Sequence, residues 1–311
     1  GDMKGRPVFP VLLLAVIWGT YYVASQQTVA GMSVFSMGVY IRLIVMVFLT
    51  VLMALRGELK LLLQVRFVWP KLVTIGVLGF LLDATAFVGL SLGSASTGTA
   101  LLKCDILMVA VISAVIYKTR LSWKQWCCIV VMLLGVFITM GLNPAHLELF
   151  NLGNLFYLLS ALFVSINAFV IKSAQHDKRN PVCDNVVAYY NNFVCMLCFI
   201  AASAAAGSLG EIMNCIRTPY YGWMLLLASV GQTLVYIVYY YDLRRFPVWF
   251  VKVFLLFMPV VASLICFFAF GEKLTVVQLG GMAVILIGAL GILLEQRKNE
   301  TGSMEPVEER G

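Results

Sequence analysis

Apolar residues along this chain gather into ten long runs, and most of the charge falls between them. The runs are Val8–Gln26, Ser33–Ala54, Trp69–Leu92, Ala95–Ile116, Trp123–Gly141, Leu152–Ser173, Asn185–Ala206, Tyr220–Tyr241, Pro247–Phe270 and Val276–Leu294. Each holds about 20 residues, the length at which a helix rising 1.5 Å per residue crosses a hydrocarbon core of about 30 Å. The pattern predicts an all-α polytopic membrane protein with ten transmembrane helices. The first run follows Lys4 and Arg6, as a signal peptide would, but nine further spans behind it make it an uncleaved first helix.

The charges between the runs set an orientation. Of the 22 Lys and Arg residues, 17 fall in the termini and alternate loops on one side, including Arg56, Lys71, Lys118, Lys178, Arg179, Arg244 and Arg310. The other side has only Arg217 and Lys273. Positive residues stay with the cytoplasm, so both termini are expected there, in a bacterial-type inner membrane. Composition agrees: 61% of the residues are hydrophobic and 12% charged, against about 25% charged in soluble domains. The net charge of +7 sits in membrane-flanking loops and calls for no nucleic acid. The eight cysteines lie mostly within runs, so no disulfide framework is expected. His146 and His176 are too few for a metal site, and no cofactor is implied.

The chain also repeats itself. "YKTRLSWKQWCCIVVMLLGVF" (Tyr117–Phe137) aligns without gaps on "FGEKLTVVQLGGMAVILIGAL" (Phe270–Leu290), matching Ser122 to Thr275, Gln125 to Gln278 and Gly135 to Gly288. The period of 153 residues gives each half five helices, 8–141 and 152–294, followed by a tail, 295–311. Five is odd, so the second copy enters the membrane inverted. Inverted repeats are how many secondary transporters build two gates around one midplane site.

Two stretches carry a family resemblance. "AVIWGTYYVAS" in the first run and "PVVASLICFFAFGEKLTVVQLGGMAVILIGALGILL" from Pro259 to Leu294 resemble the EamA-type drug/metabolite transporter superfamily. The resemblance covers residues 8–294. It implies ten helices, a central cavity shared by both repeats, and fifth and tenth helices packed together at the periphery. It leaves the substrate open, because the superfamily moves amino acids, nucleotide sugars, nucleosides and drugs. In the first repeat the position matching Pro259 is Ile106, beside Asp105, so a proline-broken helix is replaced there by a charged one.

Away from the ends of the runs, five charged residues fall inside them: Arg42, Asp83, Lys103, Asp105 and Lys252. Each costs about 2.5–3.5 kcal/mol near the bilayer centre unless paired, hydrated or bound. Counting from the outer helix ends puts the first four about 12–15 Å deep, near the midplane. A tight hairpin of the third and fourth helices sets Asp83 facing Lys103, which leaves Asp105 to Arg42. Lys252 starts about 8 Å from the cytoplasmic end and reaches the interface by snorkelling. These residues are candidates to line a polar cavity and meet substrate. Trp18, Tyr22, Tyr236 and Tyr240 are aromatic candidates for the same cavity, and Gln232 and Asn191 are neutral ones.

The function read from these features is a monomeric secondary transporter that exports small metabolites, best matched by amino acids or similar zwitterions. Its partners are the bilayer, the substrate and, as a possible coupling ion, the proton. The alternatives are a nucleotide-sugar or organic-anion/drug carrier, then a channel or a non-transporting receptor. No catalytic constellation argues for an enzyme: there is no HExxH, no GxGD aspartate pair and no Ser/His dyad.

Overall fold

The structure is a computed structural model that describes residues 7–92, 95–143, 145 and 151–302. Lys4, Arg6, His146 and Arg310 lie outside them. Thirteen α-helices and no strand occur among the described residues: α1 (Phe9–Val29), α2 (Val34–Leu55), α3 (Trp69–Leu92), α4 (Ala95–Leu102), α5 (Asp105–Val115), α6 (Trp123–Thr139), α7 (Leu152–Gln175), α8 (Asp184–Ala205), α9 (Ile212–Arg217), α10 (Pro219–Arg245), α11 (Val248–Phe254), α12 (Met258–Phe270) and α13 (Val276–Gly302).

Nine segments among the described residues are helical, long and apolar enough to cross a membrane, with α4–α5 and α11–α12 each counted as one interrupted span. The run expected at Trp123–Gly141 is the shorter helix α6, with 17 residues. Their outer faces are apolar: Leu43, Val47, Val51 and Leu55 form an exposed stripe four residues apart along α2. In a soluble protein such a stripe seeks a partner; here it suits lipid. The tail expected from residue 295 begins as helix, since α13 continues to Gly302.

The matched residues of the repeat have structural jobs. Ser122 accepts a hydrogen bond from the Gln125 backbone N–H while the Gln125 side chain accepts one from the Ser122 N–H. Thr275 and Gln278 build the same reciprocal cap at the start of α13. The turns just before them also match. Thr119 N–H donates to Ser113 O, and 153 residues later Glu272 N–H donates to Cys266 O. Each turn passes through the left-handed region, at Gly271 (φ 67°) and at Lys118 (φ 52°), the one non-glycine with positive φ among the described residues. A side chain at such a position is disfavoured. Lys118→Gly is therefore expected to raise stability by about 0.5–1 kcal/mol, read as a higher unfolding midpoint in detergent; a lower midpoint would contradict this account of the turn.

Glycine also sets the distance between α6 and α13. A methyl added at Gly281 would lie 2.5 Å from Thr139 Oγ1 and 2.9 Å from Gly135 O. The two helices therefore meet backbone to backbone, as small residues allow in membranes.

Elsewhere α3 lies along α7 and α8, α1 along α10, and α2 along α8. α4 and α5 rest on α7 as α12 rests on α1. The expected hairpin of the third and fourth helices does not form, because α3 has its main partners in α7 and α8. The fourth span is not one helix either. It breaks at Lys103–Cys104, where Lys103 N–H is shared between Thr99 O (3.4 Å) and Ala100 O (3.2 Å) in a tightened turn. The α11–α12 span breaks at the matching place, residues 255–257, just before Pro259. The charged version of this helix is thus broken like the proline version.

Candidate functional site

Both breaks open onto one cleft. It has two lobes of about 460 and 430 Å³ that share Tyr21, Tyr22, Ser25, Gln26, Asp83 and Thr99. The lobes reach the end of the molecule that carries Val29 and Glu272. Below them a pocket of about 130 Å³ is lined by Trp18, Arg42, Asp83, Asn167, Asn191, Gln232, Tyr236 and Tyr240. All eleven candidate residues read from the sequence line one of these three spaces. Asp83 lines all three.

The expected pairings are wrong. Asp83 Oδ2 lies 3.3 Å from Arg42 Nη2, not against Lys103. Arg42 also donates to the Tyr236 hydroxyl, and its backbone carbonyl accepts from Asn192 Nδ2 at 2.8 Å. Asp105 pairs with Lys252 at 3.3 Å, not with Arg42. The reason is the packing: α2 and α3 both lie against α8, which brings Arg42 to Asp83, while α5 lies against α11, which brings Lys252 to Asp105. Lys252 does not snorkel. It is 2% exposed, with its ammonium 5.3 Å from the Tyr239 ring centre.

Lys103 is the odd cation. Its ammonium faces Met258 Sδ at 3.1 Å, and no carboxylate comes within 4.0 Å of it among the described residues. It lines the larger lobe, as does Asp83, whose side chain is 37% exposed to the cleft. The cleft thus offers one cation without an anionic partner and one carboxylate with an accessible face.

Sequence reasoning missed Ser25 and Gln26 as lining residues. The signal was present: Trp18, Tyr21, Tyr22, Ser25 and Gln26 recur three to four residues apart and share one face of α1. Tyr22 is held there by a 2.9 Å hydrogen bond with Thr99. Asp242 was also missed. α10 runs on to Arg245, and both oxygens of this fully buried carboxylate lack a hydrogen-bond partner among the described residues.

The other end of the path is shut. Tyr236 and Tyr240 meet edge to face at 5.7 Å, and Trp18 meets Tyr239 at 5.0 Å. Beyond these rings, Lys172 Nζ donates to Leu243 O (2.5 Å) and Phe246 O (2.8 Å), and Gln175 Nε2 donates to Tyr240 O (2.8 Å). Arg244 pairs with Asp184 at 2.6 Å. These bonds tie α7 and α8 to the end of α10. No cluster of three His, Cys, Asp or Glu side chains placed to hold a metal occurs among the described residues.

A cleft open at one end, closed by hydrogen bonds at the other and walled by lipid-length helices is the geometry of a carrier. The model of the EamA-like transporter family matches residues 6–141 and again 151–294. This chain belongs to the EamA-like transporter family. It is a multi-pass membrane transporter. A Salmonella typhimurium protein named "Probable amino-acid metabolite efflux pump" is 26% identical over 293 residues, covering 92% of this chain and 94% of that one. A crystal structure 16% identical in sequence superposes with a TM-score of 0.71, covering 93% of this chain and 98% of the other. That likeness concerns the fold.

Proposed function

We propose that this transporter exports amino acids or similar zwitterionic metabolites through the cleft, by alternating access between two inverted five-helix repeats. The observation that carries the substrate class is that Lys103, without a carboxylate partner, and the accessible face of Asp83 line the same lobe of the cleft. Lys103 receives the substrate carboxylate, Asp83 receives the ammonium, and Trp18, Tyr21 and Tyr22 accept an apolar side chain. Arg42 orients Asp83, and the Asp105–Lys252 pair ties the two broken spans together. The name of the Salmonella typhimurium relative points to the same substrate class.

The repeat reading covers 8–141 and 152–294, with α6 as the fifth of ten spans. It is supported by the double match of the family model, by breaks at matching positions of the fourth and ninth spans, and by contacts that come in pairs. α3 on α7 answers to α1 on α10, and α3 on α8 to α2 on α10. By the distribution of Lys and Arg, both termini face the cytoplasm of a bacterial-type inner membrane. The cleft then opens outward, and the Lys172–Gln175–Arg244 bonds form the closed inner gate. Flux runs either downhill or against protons.

Counterflow in proteoliposomes loaded with unlabelled substrate tests this reading. Labelled amino acids are expected to accumulate, and nucleotide sugars to stay out. Exchange of nucleotide sugars without amino-acid exchange would favour the organic-anion alternative. Repeating the flux with and without an imposed pH gradient separates proton antiport from facilitated diffusion.

A further inference from the structure

A second cavity, of about 870 Å³, lies at the closed end, between the ends of α5, α7 and α10 and the start of α11. Its walls carry six cations, Lys71, Lys172, Lys178, Arg179, Arg244 and Arg245, against Asp177 as the one carboxylate. Lys71 is engaged with Asp177 at 2.8 Å, and its hydrogen bond holds that carboxyl below the usual carboxylate range. Arg244 has Asp184, outside the cavity wall. The side-chain charges of Lys178 and Arg179 have no carboxylate within 4.0 Å among the described residues. The local field is positive enough to act on His176, whose imidazole is pushed below its ordinary value by burial and then by Lys172 and Arg244.

Apart from Ser113, Thr119, Ser173 and His176, the rest of the wall is apolar. Tyr117 stacks on Phe169 with ring centres 5.1 Å apart, and Trp249 adds a third ring. Next to Tyr117, Val111, Val115 and Ile116 stand exposed on the lipid-facing side of α5. A soluble anion would use the cations and leave this apolar wall bare. An amphiphile with a phosphate head and acyl tails uses both.

We propose that this cavity is a binding site for the headgroup of an anionic phospholipid. Its phosphate sits by Lys178 and Arg179, with its acyl chains along Tyr117 and the exposed face of α5. Basic pockets between helix ends on the cytoplasmic side suit such headgroups. Lys172 and Arg244 line this cavity and also hold the closed gate, so the lipid bears on closure.

The test needs no substrate, so it is separable from the exporter reading. Full-length protein is placed in nanodiscs of phosphatidylcholine alone or with phosphatidylglycerol, and its unfolding midpoint is measured. Phosphatidylglycerol is expected to raise the midpoint by about 4–8 °C, and high salt to remove most of the rise. The double variant Lys178→Gln/Arg179→Gln is expected to lose more than half of it. Lys60→Gln/Arg66→Gln, on the same side but outside the cavity, is expected to keep it. Equal loss in both double variants would overturn the proposal, leaving only a general surface-charge effect. A midpoint indifferent to phosphatidylglycerol would overturn it too. So would an equal rise from inorganic phosphate in phosphatidylcholine discs, because the occupant would then be a soluble anion.

Discussion

Asp105→Asn alone is expected to destabilise the protein by about 3–5 kcal/mol, because it strands the Lys252 ammonium, 2% exposed, without its counter-charge. Lys252→Met alone is expected to cost a similar amount by stranding Asp105. The double variant is expected to recover most of the loss, since removing a buried pair together is often neutral. Unfolding midpoints of the four proteins in one detergent measure the coupling. Additive losses would show that the two charges do not depend on each other. The same cycle on Asp83 and Arg42 is expected to give a smaller coupling, because the Asp83 side chain keeps 37% of its surface open to the cleft.

Lys103→Met is expected to act in the opposite way, with little loss of stability and a fall in amino-acid flux of at least about tenfold. Its ammonium meets a thioether and no carboxylate, so replacing it strands no partner. What it removes is the charge-assisted bond to a substrate carboxylate, worth about 1.5–3 kcal/mol, or about 10- to 150-fold in affinity. Initial counterflow rates over a range of amino-acid concentrations read the effect. Undiminished flux in a folded Lys103→Met protein would remove Lys103 from the site.

Much of this molecule can be read from the order of its residues. Runs of lipid-length apolar residues are helices, because backbone groups in hydrocarbon must be satisfied within their own segment. The five charges far from the ends of those runs all line the interior spaces, because a lipid-facing charge is too costly. Even the repeated Ser122–Gln125 and Thr275–Gln278 pairs are legible as helix caps, since capping is a local matter.

The partners of the charges were not legible. Pairing depends on which helices are neighbours, and the short connection after Leu92 suggested that α3 lies against α4. α3 instead has α7 and α8 as its main partners, so Arg42 takes Asp83 and Lys103 is left to Met258. The break at Lys103–Cys104 has no proline or glycine to announce it, whereas the break 153 residues on comes just before Pro259. Lys252 was misplaced for a related reason. Counting residues from a helix end assumes a straight helix in contact with lipid, whereas α11 is short and Lys252 is covered by Tyr239 and Asp105.

The central claim is that the cleft grips a substrate carboxylate through Lys103. Competition of labelled amino-acid counterflow by an unlabelled amino acid and by its methyl ester, in wild-type and Lys103→Met proteins, tests it most directly. In the wild type the ester is expected to compete at least about tenfold more weakly than the free acid, the cost of losing one charge-assisted bond. In Lys103→Met the two are expected to compete alike. Equal competition by acid and ester in the wild type, or undiminished discrimination in the variant, would contradict the claim.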